Sequence, residues 1–297
     1  MTGNTGFRPR MGRIGYLNVL PIYHALESGM ISHPYELVYG PPAELNSRMA
    51  AGDMLVASTS CVEYARRPER YLLLPDLAIG SNGPVQSVLL LSRCPVDDLD
   101  GQRILVSAET HTSATLLRLI LTQQYGLGNL SYHIGSATEM AASGNPPQAF
   151  LAIGDEALRL RRHPAYPYLL DLGDAWTAWT GLPFIFGVWV ADRRAFAPDG
   201  SGIGASLLRS GHGPGTLLLA GRNWGLSHID LILDVAVQNY PNMTRQEHAD
   251  YFAGLCYSLG EREQAGLRLF WEKLTEAGEI REVPSMDFLE GCVIAND

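Results

Sequence analysis

The residues best placed to do chemistry are Asn18, Ser87, the pair Thr112-Ser113 and Asp155, because each interrupts an apolar segment where a strand should end or a helix begin. Asn18 sits in Gly15-Tyr-Leu-Asn-Val-Leu-Pro-Ile22, directly after a strand pattern, where its amide can donate to and accept from a ligand. The competing role is capping the helix that starts near Pro21. Ser81-Asn-Gly-Pro-Val-Gln-Ser-Val88 crowds hydroxyls, an amide and turn N–H groups around Gly83-Pro84, and these can converge on one anion. With no His or Lys in that motif to activate it, Ser87 reads as a hydrogen-bond donor rather than a nucleophile, or else as a buried strand-start serine bonded to a carbonyl. Thr112 or Ser113 is placed to cap the helix carrying Leu116, Leu117, Ile120 and Leu121, while that same helix end offers N–H groups to a carboxylate. Asp155 opens Asp-Glu-Ala-Leu-Arg-Leu and reads as a helix N-cap. Thr180-Gly-Leu-Pro183, near Trp176, Trp179 and Trp189, has the composition of an apolar wall with a hydroxyl for a planar ring, although core packing explains the tryptophans as well.

Positioning these groups needs strand ends and helix starts, and the patterns supply them. A strand at 13–17, a helix from Pro21, a helical segment at 44–51 and a strand at 54–57 ending in Ser58-Thr59-Ser60 give a βαβ rhythm. The apolar runs 87–92 and 184–191 read as buried strands. Between them lies a block with strands at 103–107, near Tyr132 and at 149–153, and helices at 113–124 and from Glu156, large enough to be a lobe. The expected architecture is α/β with two lobes, 11–92 plus 190–282 and 93–189, each with its own core and joined by the two long strands, with a flexible tail at 1–10 and a C-terminal tail at 283–297. A ligand would bind between them. The Gly-rich segment 200–215 reads as a loop, since no strand enters it and no Lys-Ser/Thr follows, and the patterns at 216–234 and 245–277 read as long helices.

Composition narrows the function classes. A formal charge of −9 disfavours nucleic-acid and anionic-membrane partners, which need a dominant basic face, and points to a small molecule. Cysteines at 61, 94, 256 and 292 form no CxxC pair and lie at no zinc spacing from a histidine, so no metal is expected and reduced core thiols are. The first ten residues lack an apolar signal core, and no apolar run reaches the ~20 residues of a membrane helix, which favours the cytoplasm.

The four motifs around Asn18, Ser87, Asp155 and Thr180, in that order, with Tyr251-Phe to Gly260-Glu and Gly266-Leu to Phe270, resemble the chorismate dehydratases of menaquinone synthesis over about residues 11–282. That resemblance implies a type II periplasmic-binding-protein fold and, as activity, the conversion of chorismate to 3-[(1-carboxyvinyl)oxy]benzoate and water, the first step of the futalosine route. It implies Asn18 and Ser87 as catalytic residues and Tyr16, Ser60, Ser81, Gly83, Val85, Thr112, Ser113, Asp155, Thr180, Gly181 and Leu182 as substrate contacts, with no cofactor. The sister dihydroxynaphthoate synthases and non-catalytic small-anion receptors or sensors share the fold and are the alternatives.

No motif contains Arg or Lys, so neutral donors and helix ends must hold the two carboxylates of chorismate. The reaction takes the ring C3 proton and the C4 hydroxyl and leaves an aromatic ring. Since hydroxyls and amides have no useful pKa near neutrality, the expected base is the substrate's own enolpyruvyl carboxylate, with His111 and Asp155 as rivals.

Overall fold

The computed structural model describes residues 8–107, 111–136, 144, 146–196 and 202–291. The chain opens with β1 (Arg10–Ile14), α1 (Leu20–Glu27), β2 (Glu36–Gly40), α2 (Pro42–Ala51) and β3 (Val56–Ser60), a parallel unit with β1 between β2 and β3. Pro21 and Pro42 stand in the first turns of α1 and α2, where a missing N–H costs nothing. After α3 (Cys61–Arg66) and β4 (Tyr71–Ser81), the chain crosses to a second sheet. That lobe contains β5 (Val88–Ser92), β6 (Arg103–Val106), α4 (His111–Leu119), β7 (Ser131–Ile134), β8 (Ala149–Ile153), α5 (Gly154–Leu160), β9 (Tyr168–Asp171) and α6 (Leu172–Thr180). The return is β10 (Phe184–Asp192), followed by α7 (Ile203–Arg209), α8 (Pro214–Ser227), α9 (Ile229–Asn239), α10 (Arg245–Gly254), β11 (Leu255–Cys256) and α11 (Glu261–Glu276). The six-stranded sheet runs β11-β4-β10-β3-β1-β2 and the five-stranded sheet β7-β6-β8-β5-β9.

The strands expected to span both lobes each belong to one sheet. Val88–Ser92, assigned from sequence to the first lobe, lies between β8 and β9, and its full burial is that of a central strand. Phe184–Asp192 lies between β3 and β4 in the first sheet, so its first half also changes lobe. The crossings are therefore the short connections at 82–87 and 181–183.

The cores are not separate either. One apolar cluster runs from Met11 and Val56 in the first sheet through Trp176, Phe184 and Phe270 to Leu90, Ile104 and Leu116 in the second. A smaller cluster around Leu89 and Phe150 covers the far face of the second sheet. The continuity comes from α6, whose Trp176 packs edge-to-face on Phe184 of β10 and on Phe270 of α11.

Other expectations shift for local reasons. The Gly-rich segment contains α7, because Gly202 and Gly204 pack on Ala195 so closely that a Cβ would lie 2.2 and 2.5 Å from its carbonyl oxygen; Gly200 and Ser201 lie outside the described residues. The pattern at 216–234 divides between α8 and α9 at His228, and that at 245–277 is broken by β11, which joins the edge of the first sheet. The C-terminal segment is no tail up to 291: Leu73 donates its N–H to Asp287 O at 2.8 Å and Leu289 donates to Leu73 O at 2.8 Å. Of the expected N-terminal tail, residues 1–7 lie outside the described residues and Arg10 already belongs to β1. Cys61, Cys94 and Cys256 are unpaired thiols, and no described helix is long and apolar enough to cross a membrane.

An ion-pair cluster ties the lobes together outside the core. Arg161 and Arg162, just past α5, both pair with Glu247 of α10, Arg161 at 3.1 Å. Glu247 also closes a capping box, accepting from the Thr244 N–H at 2.8 Å, and these Thr244 bonds are the main reason its carboxyl is held down to about 2. A carboxyl depressed in the folded state stabilises fully above its unfolded value of about 4.3 and loses that contribution as pH falls through its folded value. Glu247→Gln is therefore expected to flatten the pH dependence of unfolding between about pH 4.3 and 2, measured by denaturant titration at each pH.

Candidate active site

A cavity opens between the sheets where β1 and β3 end. The first lobe contributes the turn after β1, with Tyr16 and Asn18, together with Asn46 of α2 and Ser58, Thr59 and Ser60 of β3. The second contributes His111, Thr112 and Ser113 from the first turn of α4 and Gly154 from α5, while Val85 and Ser87 of the crossing stand between. Phe186 and Trp189 of β10 form an aromatic wall. None of the described lining residues is Lys, Arg, Asp or Glu.

Asn18 lies in a single 3-10 turn, Leu17–Val19, whose neighbours Leu17 and Val19 are buried in the core. Neither this turn nor α1 has a side-chain cap, so Asn18 does not cap α1. Its Oδ1 is buried without a hydrogen-bond partner, and so are Asn46 Oδ1, Ser58 Oγ and Thr59 Oγ1. Leaving a buried polar atom unpaired costs about 1–3 kcal/mol, so four such atoms around one cavity mark a surface built to bond a polar ligand.

Ser87 is fixed from behind. The fully buried Tyr251 of α10 donates its phenol O–H to Ser87 Oγ at 3.1 Å, and Ser87 Oγ in turn donates to Val85 O over a long 3.4 Å. With Tyr251 as donor, the Ser87 proton, spent only on that long contact, can turn from Val85 O to a ligand. Burial pushes the Tyr251 phenol well above its ordinary value, so it remains a donor across the neutral range. Tyr251→Phe is expected to fold normally and lower turnover about tenfold, the worth of one hydrogen bond, with Ser87 free to rotate; steady-state kinetics on the folded variant checks this.

Thr112 and Ser113 occupy the second and third positions of α4, inside the first turn rather than at a cap, and Thr110 of the same motif lies outside the described residues. Thr112 Oγ1 lies 3.7 Å from Cys61 Sγ, a thiol that burial pushes up to about 12 and keeps neutral. Ser60 caps α3, accepting from the Glu63 N–H at 3.1 Å, while it lines the cavity.

Six sequence-derived candidates are not brought to the cavity. The nest at 83–86 does gather an anion, but the anion is the protein's own: Val85 and Gln86 donate to the Asp171 carboxylate at 3.0 and 2.7 Å, and the Gly83 N–H goes to Thr177 Oγ1 at 3.0 Å. Ser81 is wholly buried against Gly173, where a Cβ would lie 2.4 Å from its Oγ. Thr180 Oγ1 donates to Trp176 O and accepts from Leu182 N–H, and Gly181 takes the left-handed conformation that ends α6, so this motif serves the helix end. Asp155 is neither cap nor cavity wall. It is the second residue of α5, and its carboxylate accepts from the Leu17 N–H at 3.2 Å and bonds the Tyr240 phenol; burial raises its pKa. It faces a different hollow, shared with Tyr240 and Met243.

Sequence reasoning missed Asn46, Tyr251 and the separate roles of Ser58 and Thr59. The serines and threonine were visible as the polar end of an apolar strand, but Asn46 had no signal beyond a helix-compatible segment.

Comparison with known proteins places this geometry. A model of the menaquinone biosynthesis family matches residues 9–276. A chorismate dehydratase of Thermus thermophilus is 26% identical over 282 residues, 89% of this chain and 94% of that protein. A 1,4-dihydroxy-6-naphtoate synthase of the same organism is 28% identical over 174 residues, 58% of this chain and 61% of its own length. Among solved structures, a protein from Archaeoglobus fulgidus superposes with a TM-score of 0.70 at 17% identity, covering 91% of this chain and 98% of that one. The periplasmic aliphatic sulphonate binding protein SsuA of Escherichia coli gives 0.62 at 13%, covering 94% and 95%, which establishes the two-lobed periplasmic-binding-protein fold. The chain belongs to the menaquinone biosynthesis family.

Proposed function

We propose that the chain is a cytoplasmic chorismate dehydratase, a hydro-lyase that forms 3-[(1-carboxyvinyl)oxy]benzoate and water at the first step of futalosine-dependent menaquinone synthesis. The observation that carries this reading is the cavity's chemistry: unpaired polar atoms on Asn18, Asn46, Ser58 and Thr59, hydroxyls on Ser87, Thr112 and Ser113, and an aromatic wall at Phe186 and Trp189. Such a lining suits a flat ring bearing carboxylates and a hydroxyl: the Asn18 and Asn46 side-chain oxygens can accept from the ring hydroxyl, while the serine and threonine hydroxyls donate to carboxylates, bonds that are stronger in a water-poor site than in water. The likeness to a chorismate dehydratase along nearly the whole chain supports the same substrate.

In this reading the C3 proton passes to the enolpyruvyl carboxylate of the substrate, the C3–H electron pair forms the C3–C4 double bond as the C4–O bond breaks, and the carboxyl then gives its proton to the departing hydroxyl, which leaves as water. The enolpyruvyl oxygen is bonded to C3 itself, so its carboxylate reaches the proton at high effective concentration. Asn18 orients that carboxylate or assists the departing hydroxyl, and Ser87 holds the ring. Asp155 drops out as a rival base because its carboxylate faces away from the cavity, and His111 stays within it.

The shorter likeness to a dihydroxynaphthoate synthase supports the sister reaction as a second reading. Incubating the purified chain with chorismate, with mass detection of the products, distinguishes them. Conversion to a species lighter by one water is expected, whereas chorismate recovered intact would reject the dehydratase reading.

A further inference from the structure

We propose that Asp155 is a positioning residue that couples the docking of α5 on the first lobe to the placement of Asn18. The proposal rests on reading the cavity as the dehydratase site. Helix α5 leaves the second sheet directly after β8, and its first residue, Gly154, lines the cavity. Gly154 has φ +54° and lies so close to the first lobe that a Cβ there would come within 3.0 Å of the Tyr16 ring. A side chain at 154 would hold the helix off the turn that carries Asn18.

The next residue makes the connection. Asp155 Oδ1 accepts from the N–H of Leu17, the residue preceding Asn18, across 138 positions of sequence. The phenol of Tyr240, at the end of α9 in the first lobe, hydrogen-bonds the same carboxylate. At the far end of the helix, Arg161 and Arg162 pair with Glu247, so α5 is tied to the first lobe at both ends. The Leu17–Val19 turn has no side-chain cap of its own, and the Asp155 bond is a tether on its leading N–H. A residue held this way acts on Asn18 through the backbone and does not touch the substrate.

An asparagine can take over both contacts, its Oδ1 accepting from Leu17 and its amide donating to the Tyr240 oxygen, whereas alanine makes neither. The test compares Asp155→Asn and Asp155→Ala in the full chain by two readouts: backbone hydrogen exchange of the peptide covering residues 16–20, and chorismate dehydration resolved into kcat and KM. Asp155→Ala is expected to speed exchange of that peptide and to lower kcat about 10- to 100-fold with a smaller change in KM, the worth of one hydrogen bond to a charged group. Asp155→Asn is expected to keep the peptide protected and to restore kcat to within about tenfold of wild type. An inactive Asp155→Asn that still protects the peptide would make the carboxylate itself chemical and overturn the proposal. Unchanged exchange in Asp155→Ala would overturn it too. Because exchange is measured without substrate, it decides the coupling even if wild-type protein leaves chorismate untouched, an outcome that would sink the functional reading alone.

Discussion

Asn18→Ala is expected to lower kcat for chorismate dehydration about 10²- to 10³-fold while leaving the fold intact, the usual cost of removing a positioned donor from a site where charge develops. The reason is geometric. Asn18 lines the cavity, its Oδ1 has no protein partner, and its amide caps no helix, so truncation removes no internal bond that the fold needs. Asn18→Asp keeps the shape but adds a negative charge to a cavity proposed to hold a dianion, and it should be no more active than the alanine variant. Near wild-type kcat in Asn18→Ala, with circular dichroism and melting unchanged, would remove Asn18 from the chemistry.

The largest effect on stability is expected at Asp171. This carboxylate ends β9 and accepts from four backbone N–H groups, those of Val85, Gln86, Gly173 and Asp174, at 2.7 to 3.2 Å. It thereby caps α6 and fixes the crossing that leads to Ser87. Burial raises its pKa even against these bonds. Asp171→Ala leaves all four donors without it, and at about 1–3 kcal/mol per unpaired buried group, less where water reaches in, the loss should be about 3–5 kcal/mol. That is a large share of the ~5–15 kcal/mol that holds a folded chain. Asp171→Asn keeps the Oδ1 acceptor used by Val85, Gly173 and Asp174 and loses the one used by Gln86, so about 1–2 kcal/mol is expected. Denaturant unfolding of the three proteins checks the order; equal stability of the alanine variant and wild type would show that the crossing holds itself.

How much of this was legible in the sequence depends on whether local pattern decided the outcome. β8 at Ala149–Ile153 appears where expected, since a short continuous apolar run bounded by turn signals fits a buried strand, and α1 begins one residue before Pro21. Asn18, Ser87, Thr112 and Ser113 could be picked out as polar breaks at strand and helix ends, and the structure gathers all four around one cavity. What failed needed tertiary information. That the Val85 and Gln86 amides are spent on Asp171 depends on a carboxylate 85 to 86 positions away from its partners. Asp155 has every local mark of an N-cap, yet the distant Leu17 N–H claims it. The sheet membership of Val88–Ser92 and Phe184–Asp192 was ambiguous because a buried strand looks the same whichever sheet it joins. Asn46 offered no pattern at all, since a polar residue on a helix is ordinary until its neighbours are known.

The claim that a cavity whose described lining holds no carboxylate dehydrates chorismate through the substrate's own carboxylate is tested most directly with chorismate whose enolpyruvyl carboxylate has been converted to an uncharged amide. Binding is measured by calorimetry, and dehydration is then followed under single-turnover conditions with the amide bound. The expected result is an amide that occupies the site and is recovered unchanged, while chorismate under the same conditions loses water. Dehydration of the bound amide at a rate near that of chorismate would contradict the mechanism and assign the proton to a group of the protein, with His111 the first to replace.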